Sequence, residues 1–152
     1  MSQTVPGLVE TSANIGVANM EDGQIEIQFL PRSAVEGKLE EFCRMAEDLA
    51  ELTGFDLRHT TIKPGWKERA DSRLAKLMCG IFEEQNGKPM KVAAIHAAVE
   101  CGWHCKKNPT LDIVSIGVTT LDIHSPKERL VLETVRPQVE LIRETLEKIA
   151  EM

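Results

Sequence analysis

An α/β fold of mixed α+β character is predicted by three observations. A stretch near the start alternates with period two, three later stretches repeat apolar residues every three or four positions, and residues 111–118 are apolar almost throughout. Period two marks a half-buried strand, the three-to-four spacing an amphipathic helix, and the continuous run a strand covered on both faces. The predicted order is two strands, helix and strand, then helix, strand, strand and helix. The first unit therefore reads as half of a small sandwich with a helix on one face, and the second as the edge of an α/β sheet.

Residues 8–18 are rich in small and β-branched side chains, and Glu21-Asp22-Gly23 is a turn signal. From Gln24 to Leu30, Ile25, Ile27 and Phe29 fall on one face and Gln24, Glu26 and Gln28 on the other, so the chain opens with a hairpin. Val35, Leu39, Phe42, Ala46, Leu49 and Thr53 form the apolar stripe of a helix, with Ser33 as its expected N-cap, Glu36 in the capping-box position and Gly54 closing it. Residues 55–62 are expected as a third strand, with Leu57 between polar neighbours.

Lys63-Pro64-Gly65-Trp66 breaks the pattern and reads as a crossover, which places the boundary between residues 1–63 and 64–152. A helix near 72–86 turns Leu74, Leu77, Met78, Ile81 and Phe82 inward and ends at Gly87. Residues 90–94 and 111–118 are two further buried strands. The last helix covers about 135–150, with Thr134 as N-cap, Pro137 tolerated in the first turn, and Val139, Ile142, Leu146 and Ile149 as its core stripe.

A chain of 152 residues with 42% hydrophobic and 28% charged residues can bury a sizeable core. Its net charge of −6 argues against nucleic acid or an anionic membrane as a partner. No apolar run approaches a bilayer span and the N-terminus lacks the marks of a signal peptide, so a cytoplasmic location is expected. Cys43, Cys79, Cys101 and Cys105 show no secreted disulfide spacing and are expected as reduced thiols.

His124 is the strongest candidate for chemistry. It follows an apolar strand and precedes Ser125-Pro126, so a neutral imidazole on a stiffened turn could ligate zinc; a histidine hydrogen-bonded in a loop is the commoner case. His96 follows the run 92–95 and is a ligand, a substrate contact or, most commonly, a buried histidine with its nitrogens satisfied. Glu100 could serve as a base, a supporting partner or a helix cap. His96, Cys101, His104 and Cys105 invite a zinc-cluster reading, but they crowd into ten residues without the two separated ligand pairs of structural sites. Arg32, at the end of the alternating strand, could form a bidentate pair with a carboxylate, although a surface arginine is the usual case. There is no glycine-rich phosphate loop, G-x-S-x-G elbow or H-E-x-x-H helix.

An ordered set of motifs carries a family resemblance. It runs from Thr11-Ser12-Ala13-Asn14-Ile15-Gly16-Val17 through Arg32-Ser33, Pro64-Gly65-Trp66 and His96 to Gly102, and closes with Leu111-Asp112, Ser115-Ile116-Gly117 and His124-Ser125-Pro126. Together these resemble the C-terminal part of the aminoacyl-histidine (Xaa-His) dipeptidases, carnosinase-like members of the di-zinc aminoacylase/carboxypeptidase metallopeptidase family. The resemblance covers almost the whole chain. It implies that residues up to about 63 are the second half of a lid domain that often carries a dimer contact. Residues from about 65 onward would be the edge portion of the α/β catalytic domain. It further implies His124 as a zinc ligand, Arg32 on the dipeptide carboxylate, His96 to Ala98 lining the substrate site, and Glu100 and Cys101 supporting it. Ala98 departs from the family's glycine, and Lys127 stands where an acidic residue is common.

The family's other zinc ligands and its general base have no counterpart in these residues. The expectation is thus a fragment of a zinc dipeptidase that hydrolyses dipeptides by metal-activated water, inactive by itself and pairing with a second copy through the lid strands. The alternatives are a stand-alone dimerising interaction or regulatory module, and an independent metal binder using the His96–Cys105 cluster.

Overall fold

The computed structural model describes residues 1–3, 5–60, 62–67, 69–97 and 99–151, without the side chain of Glu36. It shows mixed helices and small sheets, as predicted: β1 (Thr11–Glu21), β2 (Gln24–Ser33), α1 (Glu36–Thr53), α2 (Arg73–Asn86), α3 (Cys101–Lys107), β3 (Thr120–Leu121), β4 (Arg129–Leu130), a 3-10 turn (Leu132–Thr134) and α4 (Val135–Ala150). Two compact units interleave along the chain. One comprises residues 1–68 and 93–111, the other 69–92 and 112–152, so the segment 93–111 packs with the hairpin rather than with its sequence neighbours.

In the first unit β1 and β2 pair antiparallel across Asp22-Gly23. Both residues take positive φ, 49° and 75°, the geometry of the two-residue turn that matches strand twist. The register slips between Ile15 and Val17, leaving Gly16 as the extra residue of a bulge. The apolar face of β2 forms as predicted, but it is not covered: Ile25, Ile27 and Phe29 are all exposed.

Helix α1 starts two residues later than the sequence suggests. Val35 is its N-cap, while the buried Ser33 accepts the Val35 N–H at 3.0 Å and shares a 2.9 Å hydrogen bond with Thr11. Ser33 therefore ties the helix start to β1 instead of capping the helix. The helix buries Leu39 and half-buries Phe42 and Ala46, as the stripe predicts, but near its end Ala50 is buried in place of the exposed Leu49.

The predicted third strand does not form. Residues 55–60 and 62 join no ladder, and position 61 lies outside the described residues. A strand exists only through its hydrogen-bonded neighbour. Here the polar side chains settle into exposed local pairs, Arg58 with Asp56 and His59 with Glu47. A short helix the sequence reading did not anticipate, α3, follows Glu100; its end carries His104, Lys106 and Lys107, favourable beside the exposed carbonyls of a helix C-terminus.

In the second unit α2 follows prediction closely. The Ser72 side chain accepts the Ala75 N–H, Gly87 closes the helix with φ 65°, and Met78 and Ile81 are buried. Leu141 of α4 joins them, with Leu74, Leu77, Phe82, Met90, Val114 and Ile116 packed around the three. The apolar runs 90–94 and 111–118 supply Met90, Val114 and Ile116 to this core but form no ladder of their own; among the described residues of this unit, Thr120–Leu121 and Arg129–Leu130 pair.

Helix α4 has the predicted bounds but presents a different face. Leu141 and Thr145 are buried, while Val139, Ile142, Leu146 and Ile149 are exposed. Burial of Thr145 is inexpensive because its hydroxyl donates to the Leu141 carbonyl at 2.7 Å. Thr134 is the N-cap residue of α4, as predicted, but makes no side-chain capping bond: its hydroxyl donates to the Val131 carbonyl and accepts the Thr119 N–H.

Asp112 stabilises this unit through the start of α2. Its carboxylate accepts the Leu74 N–H at 2.9 Å. That bond first, and the adjacent Ser72 hydroxyl next, hold its pKa below the ordinary 3.8. A depressed folded-state pKa contributes stability that is present above the unfolded value and is lost as pH falls through the folded one. Asp112→Ala should therefore cost about 1 kcal/mol at neutral pH, the usual worth of a capping carboxylate. In urea titrations the gap to wild type should close below pH 3.8; a gap independent of pH would refute the capping role.

Candidate functional site

The candidate residues fall into two groups, one in each unit. In the first unit Arg32, Trp66 and His96 line a small cleft with Ser33, Pro64 and Gly65. Backbone packing builds it. Gly65 lies so close to the end of β2 that an added Cβ would fall on the Ser33 carbonyl oxygen and 2.9 Å from the Ala34 Cα. Gly102, buried in α3, is equally tight against the Pro64 carbonyl. Glycine at these two positions lets the chain around Pro64 pass between the end of β2 and the first turn of α3.

Across the hairpin Ser12 is the register partner of Arg32. Directly opposed residues share a face of the ladder. The Ser12 hydroxyl lies 2.7 Å from His96 Nε2, joining β1 to a segment 84 residues further along. Arg32 is exposed and forms no ion pair among the described residues. The arrangement can receive an anion: a guanidinium supplies charge and a planar fork of donors, and an imidazole nitrogen supplies a further polar contact.

Ala98, the third predicted substrate contact, lies outside the described residues. Glu100 occupies the N-cap position of α3, but its exposed side chain makes no capping bond; its carbonyl accepts the Trp103 N–H instead. Cys101 is half-buried at the start of α3, and all four cysteines are free thiols. Ser12 and Trp66 were not singled out from sequence as site residues, although both lie in the motifs that carry the resemblance.

In the second unit His124 is exposed on the turn between β3 and β4, with φ 64°. Histidine is among the residues that enter the left-handed region more readily. The turn holds it there by local bonds: Ser125 donates to the Asp122 carbonyl at 2.7 Å, Glu128 accepts the His124 N–H at 3.0 Å, and Arg129 pairs with Asp122 at 2.7 Å. The neighbouring carboxylates are thus engaged with the backbone and an arginine, and they do not converge with the imidazole.

Among the described residues no three histidine, cysteine or acidic side chains are grouped to hold a metal. His96, Cys101, His104 and Cys105, the alternative zinc cluster, form no such group. His124 by itself supplies one ligand, and the described residues of this chain alone do not fit a zinc centre. Among the described residues no helix is long and apolar enough to cross a membrane.

No family model matches the chain. It is 34% identical over 148 residues to the cytosol non-specific dipeptidase of Escherichia coli (strain K12), an alignment covering 97% of this chain and 30% of that protein. It superimposes on the crystal structure of aminoacylhistidine dipeptidase from Vibrio alginolyticus with a TM-score of 0.78 and 33% identity, again over 97% of this chain and 30% of the other. The chain spans about a third of the length of the relatives it matches. With the motifs in order and the fold shared along nearly its whole length, the chain is a homologue of these dipeptidases, matching their C-terminal portion.

Proposed function

We propose that this chain is the C-terminal segment of a cytoplasmic zinc dipeptidase acting on Xaa-His dipeptides, and that it is inactive without the part of the relatives it does not match. The observation that carries the reading is 34% identity sustained over 97% of the chain. Residues 1–63 then belong to a lid and 64–152 to the catalytic domain. Arg32 receives the dipeptide carboxylate, His96 and Ala98 line the site, Glu100 and Cys101 support it, and His124 donates one ligand to a metal whose remaining ligands come from elsewhere. The exposed imidazole of His124 and the exposed guanidinium of Arg32, which forms no ion pair among the described residues, support these roles.

Zinc analysis after dialysis against a weak chelator should find no zinc retained by the isolated chain, and dipeptide assays no turnover. Mixing it with the unmatched portion of the E. coli relative should restore hydrolysis, and His124→Ala should abolish it. One tightly held zinc per isolated chain, or turnover by that chain lost in His124→Ala, would overturn the reading.

The second reading is a stand-alone dimerising interaction or regulatory module without catalysis. It is favoured by the hairpin, whose two strands pair with no third strand among the described residues and whose Ile15, Met20, Ile25, Ile27 and Phe29 are exposed. In the dipeptidase reading the same surface is a homo-oligomer contact through the lid strands. Light scattering of the isolated chain should therefore give a multimer; a strict monomer would remove the pairing from both readings.

A further inference from the structure

We propose that Ser12 is a positioning residue for His96. Its hydroxyl donates to Nε2, which holds the ring as the Nδ1–H tautomer and makes it a hydrogen-bond donor to a carboxylate that Arg32 attracts. This rests on the reading of the cleft as a carboxylate site. Three observations carry it. Ser12 Oγ lies 2.7 Å from His96 Nε2. Ser12 is the cross-strand partner of Arg32, so the hydroxyl and the guanidinium belong to one face of the ladder. Arg32 and His96 line the same cleft.

Which ring nitrogen carries the proton is set by the partner of the other one. A serine hydroxyl either donates or accepts. If it accepted, Nε2 would hold the proton and Nδ1 would offer a lone pair to an anion drawn in by the guanidinium, which is repulsive. If it donates, Nδ1 holds the proton and the two side chains complement the same anion.

The test is long-range proton–nitrogen correlation NMR on the intact chain with ¹⁵N-labelled histidine, above the histidine titration range, with the His96 signals assigned by their loss in His96→Gln. The expected result is Nδ1–H in the wild type, reversion toward Nε2–H in Ser12→Ala, and retention of Nδ1–H in Ser12→Thr, which keeps the hydroxyl on a residue suited to a strand. An Nε2–H wild type, or the same tautomer in Ser12→Ala as in wild type, would overturn the proposal. Titration with acetate separates the two claims. A response at His96 that disappears in Arg32→Ala supports both. An Nδ1–H ring that follows Ser12 but ignores acetate supports the positioning role and counts against the carboxylate reading alone.

Discussion

Leu141→Ala should lower the free energy of unfolding by about 2–4 kcal/mol, whereas Leu146→Ala should change it by less than about 0.5 kcal/mol. Both leucines lie on α4, five positions apart, and they exchange the roles that periodicity assigns. Leu141 is 3% exposed and packs with Met78 and Ile81; Leu146 is 62% exposed. Truncating the first removes buried methyl groups and leaves a cavity beside Met78 and Ile81, the other buried members of this core cluster among the described residues. Truncating the second removes surface already in water. Urea denaturation of the two variants reads the difference directly. Equal losses, or a larger loss for Leu146, would mean that α4 turns its Val139–Ile149 stripe inward. Val139, Ile142, Leu146 and Ile149 nonetheless form an exposed apolar face along α4.

Gly65→Ala should destabilise the first unit by an amount at the upper end of the roughly 1–3 kcal/mol typical of overpacking. The added methyl would meet backbone, the Ser33 carbonyl and the Ala34 Cα, and backbone cannot rotate aside as a flexible side chain would. Relief requires moving the Pro64-Gly65-Trp66 segment away from β2, which opens the cleft that holds Arg32 and His96. The loss should therefore appear both as a lower denaturation midpoint and as altered His96 signals. Gly80→Ala is the control: nothing lies within 4 Å of a Cβ there, and in the middle of α2 alanine should stabilise by up to about 1 kcal/mol. A neutral Gly65→Ala would show that this approach is looser than the structure has it.

The local devices were legible in sequence because their causes are local. Asp22-Gly23 sets the hairpin, Gly54 and Gly87 end their helices, and the apolar spacing of α2 faces Met78 and Ile81 inward. The run 111–118 was correctly apolar yet wrongly a strand, because side-chain burial needs only a neighbouring surface whereas a ladder needs a second backbone at hydrogen-bonding distance. On α4 two faces compete. The longer apolar stripe is read from sequence, but the face containing Leu141 and Thr145 meets α2, and a self-bonded threonine is cheap enough to bury that hydrophobicity alone does not choose.

The cleft shows the same division. The hairpin counted straight back from Glu21 and Gln24 would set Ser12 against Ser33. The bulge at Gly16 shifts the pairing by one residue and sets Ser12 against Arg32 instead. That single slip, together with the return of residues 93–111 to the hairpin, brings a hydroxyl, a guanidinium and an imidazole together from three distant stretches of chain. By itself the sequence determined the family resemblance, the opening hairpin, the helices α1, α2 and α4 and the turns, since these depend on residue identity and near-neighbour spacing. Only the tertiary structure decided which face of α4 is buried, which apolar runs pair, and which polar side chains meet, since these depend on the partner that each surface finds.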